Sequence, residues 1–119
     1  MKNLLLLLLL TAALISCKKD PVIEPGDLLI EVRYEGAGED LTEVWLYESW
    51  DKFDSYVYYD KGMSNEYGEV LFENLDPGWY VVEAEKEKSS LLKLWAADSV
   101  EVQEGRQTNK ILILEPASR

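Results

Sequence analysis

From Leu28 onward the chain alternates. Leu28, Ile30, Val32 and Tyr34 interleave with Leu29, Glu31, Arg33 and Glu35, a period of two that sends successive side chains to opposite faces of a strand. Val44 and Leu46 alternate in the same way with Glu43, Trp45 and Tyr47, and Tyr80, Val82 and Ala84 with Trp79, Val81 and Glu83. Gly68 precedes a further strand at Glu69-Val70-Leu71-Phe72-Glu73. Turn residues separate these runs: Gly36-Ala37-Gly38-Glu39-Asp40, Asn74-Leu75-Asp76-Pro77-Gly78 and Glu104-Gly105-Arg106-Gln107. In the second of these, proline sets φ at the first central position and glycine accepts a positive φ. The β-rich Tyr56–Tyr59 reads as a third strand, Ser99–Gln103 as a sixth and Lys110–Glu115 as a seventh. Seven short strands at this spacing predict a single all-β domain, a sandwich with antiparallel or mixed sheets. Ser89–Ala97 (SSLLKLWAA) breaks the rhythm. It reads as a loop leading into the sixth strand, with a helical turn capped by Ser89 or Ser90 as the alternative.

Composition narrows the function classes. Twelve Lys and Arg stand against 23 Asp and Glu, a formal charge of −11, which disfavours nucleic acid because a phosphate backbone is held by clustered basic residues. With no His and one Cys, the commonest general base, the commonest zinc ligand and any internal disulfide framework are absent. The acids are scattered at outward strand positions, not paired across a cleft, so no catalytic residue is expected and the domain reads as non-enzymatic. Asp51, Asp54 and Asp60 lie close in sequence but lack the D-x-D-x-D-G spacing of a calcium loop. Neither a metal nor any other cofactor is expected.

The first residues read as an address. Met1-Lys2-Asn3 precedes an unbroken run of leucines from Leu4 to Leu10, extended by apolar and small residues to Ile15. That stretch is shorter than the ~20 residues a membrane-spanning helix needs and has the size of a signal-peptide core. It ends in Leu14-Ile15-Ser16-Cys17, which resembles a bacterial lipobox. The resemblance implies that residues 1–16 are removed, that Cys17 carries the lipid, and that the membrane is a partner through that lipid. Lys18-Lys19-Asp20 places no Asp directly after the Cys, which by resemblance to Gram-negative lipoproteins implies the outer membrane, on its periplasmic or its external side. Pro21, Pro25 and Gly26, among mostly polar neighbours, make residues 17–27 an extended tether ahead of a domain at 28–119.

Val44-Trp45-Leu46-Tyr47, followed by Ser64-Asn65-Glu66-Tyr67-Gly68-Glu69-Val70-Leu71-Phe72-Glu73-Asn74-Leu75-Asp76-Pro77-Gly78-Trp79-Tyr80-Val81-Val82, resembles a transthyretin-like sandwich of the carboxypeptidase regulatory-like or Cna-B type. The family pattern has an early V-x-L strand, then T-D-x-x-G-x-V-x-F, then N-L-x-P-G-x-Y-x-V, with Ser64-Asn65 here in place of T-D. The resemblance implies that Gly68 is left-handed, that Leu75 closes one end of the sandwich and that Tyr80 lies in its core.

Four Trp and seven Tyr in 119 residues are the sharper functional signal. If Val44, Leu46, Tyr80 and Val82 point inward, then Trp45, Tyr47 and Trp79 point outward and share one sheet face, which Tyr56 or Tyr58 of the next strand would extend. Such a face would bind a glycan or an envelope protein. Alternatively the rings are cross-strand pairs, or are covered by residues 86–97, in a domain that acts as a spacer or accessory subunit.

Overall fold

The computed structural model describes residues 22–117. Cys17, the leader and the first part of the tether lie outside the described residues. Among the described residues nine strands form two sheets. β1 (Gly26–Tyr34) takes in the last two residues expected in the tether. It is the centre of the first sheet, paired antiparallel with β5 (Glu69–Leu75) and the two-residue β2 (Ala37–Gly38), and parallel with β8 (Gln107–Ile113) on its other side. The second sheet runs β4 (Asp60–Met63), β3 (Glu43–Tyr47), β6 (Gly78–Ser89), β7 (Leu92–Val102) and the two-residue β9 (Glu115–Pro116), all antiparallel. The domain is an all-β sandwich. Among the described residues no helix is long and apolar enough to cross a membrane.

The inward residues of both sheets meet in one core. Leu28, Ile30 and Val32 of β1, Val70 and Phe72 of β5 and Leu112 of β8 face Val44 and Leu46 of β3, Tyr80, Val82 and Ala84 of β6, and Leu94, Val100 and Val102 of β7. Full burial of such a side chain stabilises by about 1.5–3 kcal/mol. Leu75 and Tyr80 are both buried, and the Tyr80 hydroxyl donates to the Asp76 carbonyl at 2.7 Å, fastening the β5–β6 turn to the core. Gly78 in that turn has φ +143°.

Asn65 organises the β4–β5 turn. Its side-chain oxygen accepts from the amides of Tyr67 and Glu69 at 2.9 and 3.0 Å, and its carbonyl accepts from Gly68. Gly68 is buried with φ +81°, and a side chain there would meet the Val32 carbonyl and the Glu39 amide of the neighbouring backbone.

Two stretches depart from the pattern expected of the sequence. Tyr56–Tyr59 is not a strand. Ser49 caps a short helix, α1 (Trp50–Asp54), by accepting from the Lys52 amide at 3.1 Å, and residues 55–59 return as irregular backbone to β4. Ser89–Ala97 is not a loop: β6 continues to Ser89, and Leu92–Ala97 is the first half of β7, paired with it residue by residue. The separate sixth strand expected at Ser99–Gln103 is the second half of that same β7.

Away from residue 22, one end of the sandwich is closed by a charged cluster. The Glu39 side chain is buried, with one oxygen 2.9 Å from the Lys86 ammonium and 2.6 Å from that of Lys88; Lys86 also reaches Asp40 at 2.9 Å. Burial alone would raise the Glu39 carboxyl, but the two ammonium groups hold it below its ordinary value, and the acids in turn raise Lys86 against its own desolvation.

Candidate functional site

The outward face of the second sheet carries rows of residues across its strands. One row runs Met63, Glu43, Glu85, Trp95 and Glu115; the next runs Lys61, Trp45, Glu83 and Ala97; then Tyr47, Val81 and Ser99; and at the end nearest residue 78, Trp79 and Glu101. α1 sits on this face. Phe53 meets the Tyr47 ring edge-on with centroids 5.3 Å apart, and Trp50 packs against Phe53 at 5.4 Å.

The rings expected to share an open face therefore separate. Tyr47 is 4% exposed, buried beneath Phe53. Trp45 is half-buried between Lys61 and Glu83. Trp79 stands 64% exposed at the far end of the face. The parity of the alternation holds for all three. The cover over Tyr47 comes from α1, whereas residues 86–89 and 92–97 lie within the sheet as strands.

Glu83 is the hub of the face. One carboxylate oxygen accepts from the Tyr47 hydroxyl at 2.9 Å and the other from the Trp95 indole N–H at 2.8 Å. Burial, reinforced by the Glu83 carboxylate, pushes the Tyr47 phenol well above its ordinary value of 10, so it remains a donor. Trp95 is held by this bond with 40% of its surface open. It borders a groove of about 460 Å³, within the ~300–1,000 Å³ of small-ligand sites. Glu83, Glu85 and Trp95 contribute from the sheet, and Phe53, Asp54 and Tyr56 from α1 and its exit. Lys93 and Ala117 complete the lining, with the Lys93 ammonium 2.9 Å from Glu85. Tyr56 is 84% exposed and has φ +59°, a conformation that costs an L residue energy and is concentrated at functional sites. Apolar ring faces, acceptor oxygens and one ammonium in a concave site can take a ligand that is apolar on one face and hydroxyl-bearing at its rim. Among the described residues no three Asp, Glu, His or Cys side chains converge in a way that could hold a metal ion.

The fold has a solved counterpart. A candidate carbohydrate-binding protein from Pseudomonas aeruginosa superposes with a TM-score of 0.57 over 83% of this chain and 93% of its own, at 12% identity. The likeness is one of fold. No protein-family model matches the chain, and no curated protein sequence matches it.

The sequence alone does not single out Trp95, Glu83 or Glu85 as site residues. Trp95 lay in a stretch taken as a loop, although the alternation of Leu92, Leu94 and Ala96 with Lys93, Trp95 and Ala97 would have put its ring on the same outward face as Trp45. Tyr56, which as part of a strand would extend the aromatic face, stands instead on irregular backbone at the rim of the groove.

Proposed function

We propose that this chain is an outer-membrane lipoprotein whose transthyretin-like sandwich is a non-catalytic carbohydrate-binding module, with its site in the groove beside Trp95. The observation that carries this reading is the Trp95 ring, fixed by its bond to Glu83 and set beside further carboxylates in a concave space. A pyranose has a C–H face that stacks on such a ring and hydroxyls that donate to such oxygens. The neighbour's description as a candidate carbohydrate-binding protein is in keeping with it. The transthyretin-like assignment draws support from Gly68, Leu75, Asp76-Pro77-Gly78 and Tyr80, each placed as that family's pattern implies. A binding role is favoured over catalysis because both oxygens of Glu83 are already engaged by donors, which suits orienting a ring and not exchanging a proton.

Two measurements test this. The full-length protein in detergent is titrated with a panel of polysaccharides, followed by tryptophan fluorescence and by affinity electrophoresis. Trp95→Ala is expected to weaken binding at least about 30-fold, the effect of losing an aromatic anchor worth about 2 kcal/mol. Trp79→Ala should leave affinity within about twofold. A loss confined to Trp79→Ala would move the site to the other end of the face. No binding to any member of the panel would leave the spacer or accessory-subunit reading. For the anchor, Cys17→Ala is expected to release the protein from the membrane fraction or leave it as an uncleaved precursor. Membrane association at mature size in that variant would rule out lipidation at Cys17.

A further inference from the structure

The groove is uneven in charge. Among the described residues it is lined by three carboxylates, Asp54, Glu83 and Glu85, and by the ammonium of Lys93, which faces Glu85. The partners of Glu83, the Tyr47 hydroxyl and the Trp95 indole, are neutral, so they orient its charge without cancelling it. The strand register adds Glu43 beside Glu85 and Glu115 beside Trp95. The aromatic walls act in the same direction, because the face of an indole or phenol ring is its negative region and attracts cations. A carboxylate on a ligand would meet like charge in this groove. An uncharged ligand would gain only hydrogen bonds and stacking. An ammonium would meet complementary charge from the carboxylates and the ring faces together.

We infer that the groove selects a sugar bearing a free, protonated amino group, a hexosamine with an unacylated amine, over neutral and acidic sugars. The inference rests on the carbohydrate reading proposed above and names its ligand class. The occupant is a sugar and not a basic peptide because the acceptors stand beside the Trp95 ring, on which the C–H face of a pyranose stacks, whereas a Lys side chain presents no comparable flat face.

The test uses oligomers that differ only at C2. The full-length protein in detergent is titrated, at mildly acidic pH and low salt, with β-1,4 oligomers of glucosamine, N-acetylglucosamine and glucose, with an oligouronate and with oligolysine alongside. Glucosamine oligomers are expected to bind roughly three- to fivefold tighter than the two neutral series, the size of one solvent-exposed ion pair, and the oligouronate weakest. That preference should shrink as salt is raised, because exposed charges are screened. In the double variant Asp54→Asn/Glu85→Gln the ratio of glucosamine to glucose affinity should fall to within about twofold, whatever the two absolute affinities become. Equal binding of the three sugar series would overturn the amino-sugar inference and leave the carbohydrate reading standing. A preference that survives in the double variant would overturn it too, since the selectivity would then come from elsewhere. Oligolysine binding as tightly as the glucosamine series would overturn the sugar itself as the recognised group. Binding by none of the sugars, here and across the polysaccharide panel, would remove the carbohydrate reading along with the inference.

Discussion

Gly68→Ala should destabilise the domain by about 3 kcal/mol, while Gly78→Ala costs about 1 kcal/mol. Both glycines have a positive φ, and an L residue in that region costs roughly 1–2 kcal/mol. Only Gly68 is also enclosed. A methyl group on it would press against the Val32 carbonyl and the Glu39 amide, whereas one on Gly78 would meet no atom within 4 Å. The Val32 carbonyl accepts from the Glu39 amide at 2.9 Å, and the Val32 amide donates to Gly68 at 2.8 Å. Relieving the collision therefore loosens β1 and the turn after β2 together. At about 4–8 °C per kcal/mol for a domain of up to 100 residues, thermal melts should separate the two variants by roughly 8–16 °C. Coincident melts would show that the close approach at Gly68 relaxes without cost.

Glu39→Ala should be the most damaging single change among the charged residues, at about 2–3 kcal/mol. It leaves the mostly buried Lys86 ammonium and that of Lys88 facing a lost carboxylate. Breaking a buried pair from one side costs about 3–5 kcal/mol, reduced here because Lys88 is partly in water. The wild-type pH profile follows from the same cluster. Glu39 is held below its ordinary value of 4.5. Its contribution is therefore full above that pH and drains away as the pH falls through the lower folded value. Lys86 is raised above its ordinary value of 10.5, so its contribution is full below that pH and is lost as the pH rises through the higher folded value. Denaturant titrations should give a plateau between these limits and a fall on either side. Glu39→Gln should flatten the acid limb relative to wild type. An acid limb of unchanged slope in that variant would place the titrating groups elsewhere, with Asp98 beside Lys110, also held below its ordinary value, the first to inspect.

β1 and β5 are legible from the chain because one face of each is buried and the other is more open; β3 and the start of β6 keep the same parity although Tyr47 and Val81 on their outward face are buried as well. The turns at Gly68 and Asp76-Pro77-Gly78 are legible because few residues tolerate their backbone angles. The first half of β7 was hidden by its own chemistry. Trp95 and Ala97 place apolar groups on the outward face, so Leu91 to Ala97 loses the contrast on which a period of two depends. Tyr56-Val57-Tyr58-Tyr59 misleads in the opposite sense. Strand preference of such residues reflects a half-buried pleated surface to pack on, and here all four are exposed after the helix that Ser49 caps. The candidate site lay beyond reach for a related reason. Its two sides, α1 with Tyr56 and the β6–β7 hairpin with Trp95, are some forty residues apart in sequence, and no local pattern says that they meet.

The placement of β1 has a mechanical consequence. The chain enters it from residue 22 along the strand axis, and β1 is flanked over most of its length by β5 on one side and β8 on the other. The entry is also tied down where the Asp27 amide donates to the Arg106 carbonyl and Gly105 donates to Pro25. A pull on residue 22 thus loads both ladders in shear, so that many hydrogen bonds must yield together instead of opening one after another. A domain tugged from that end resists as a bolt does.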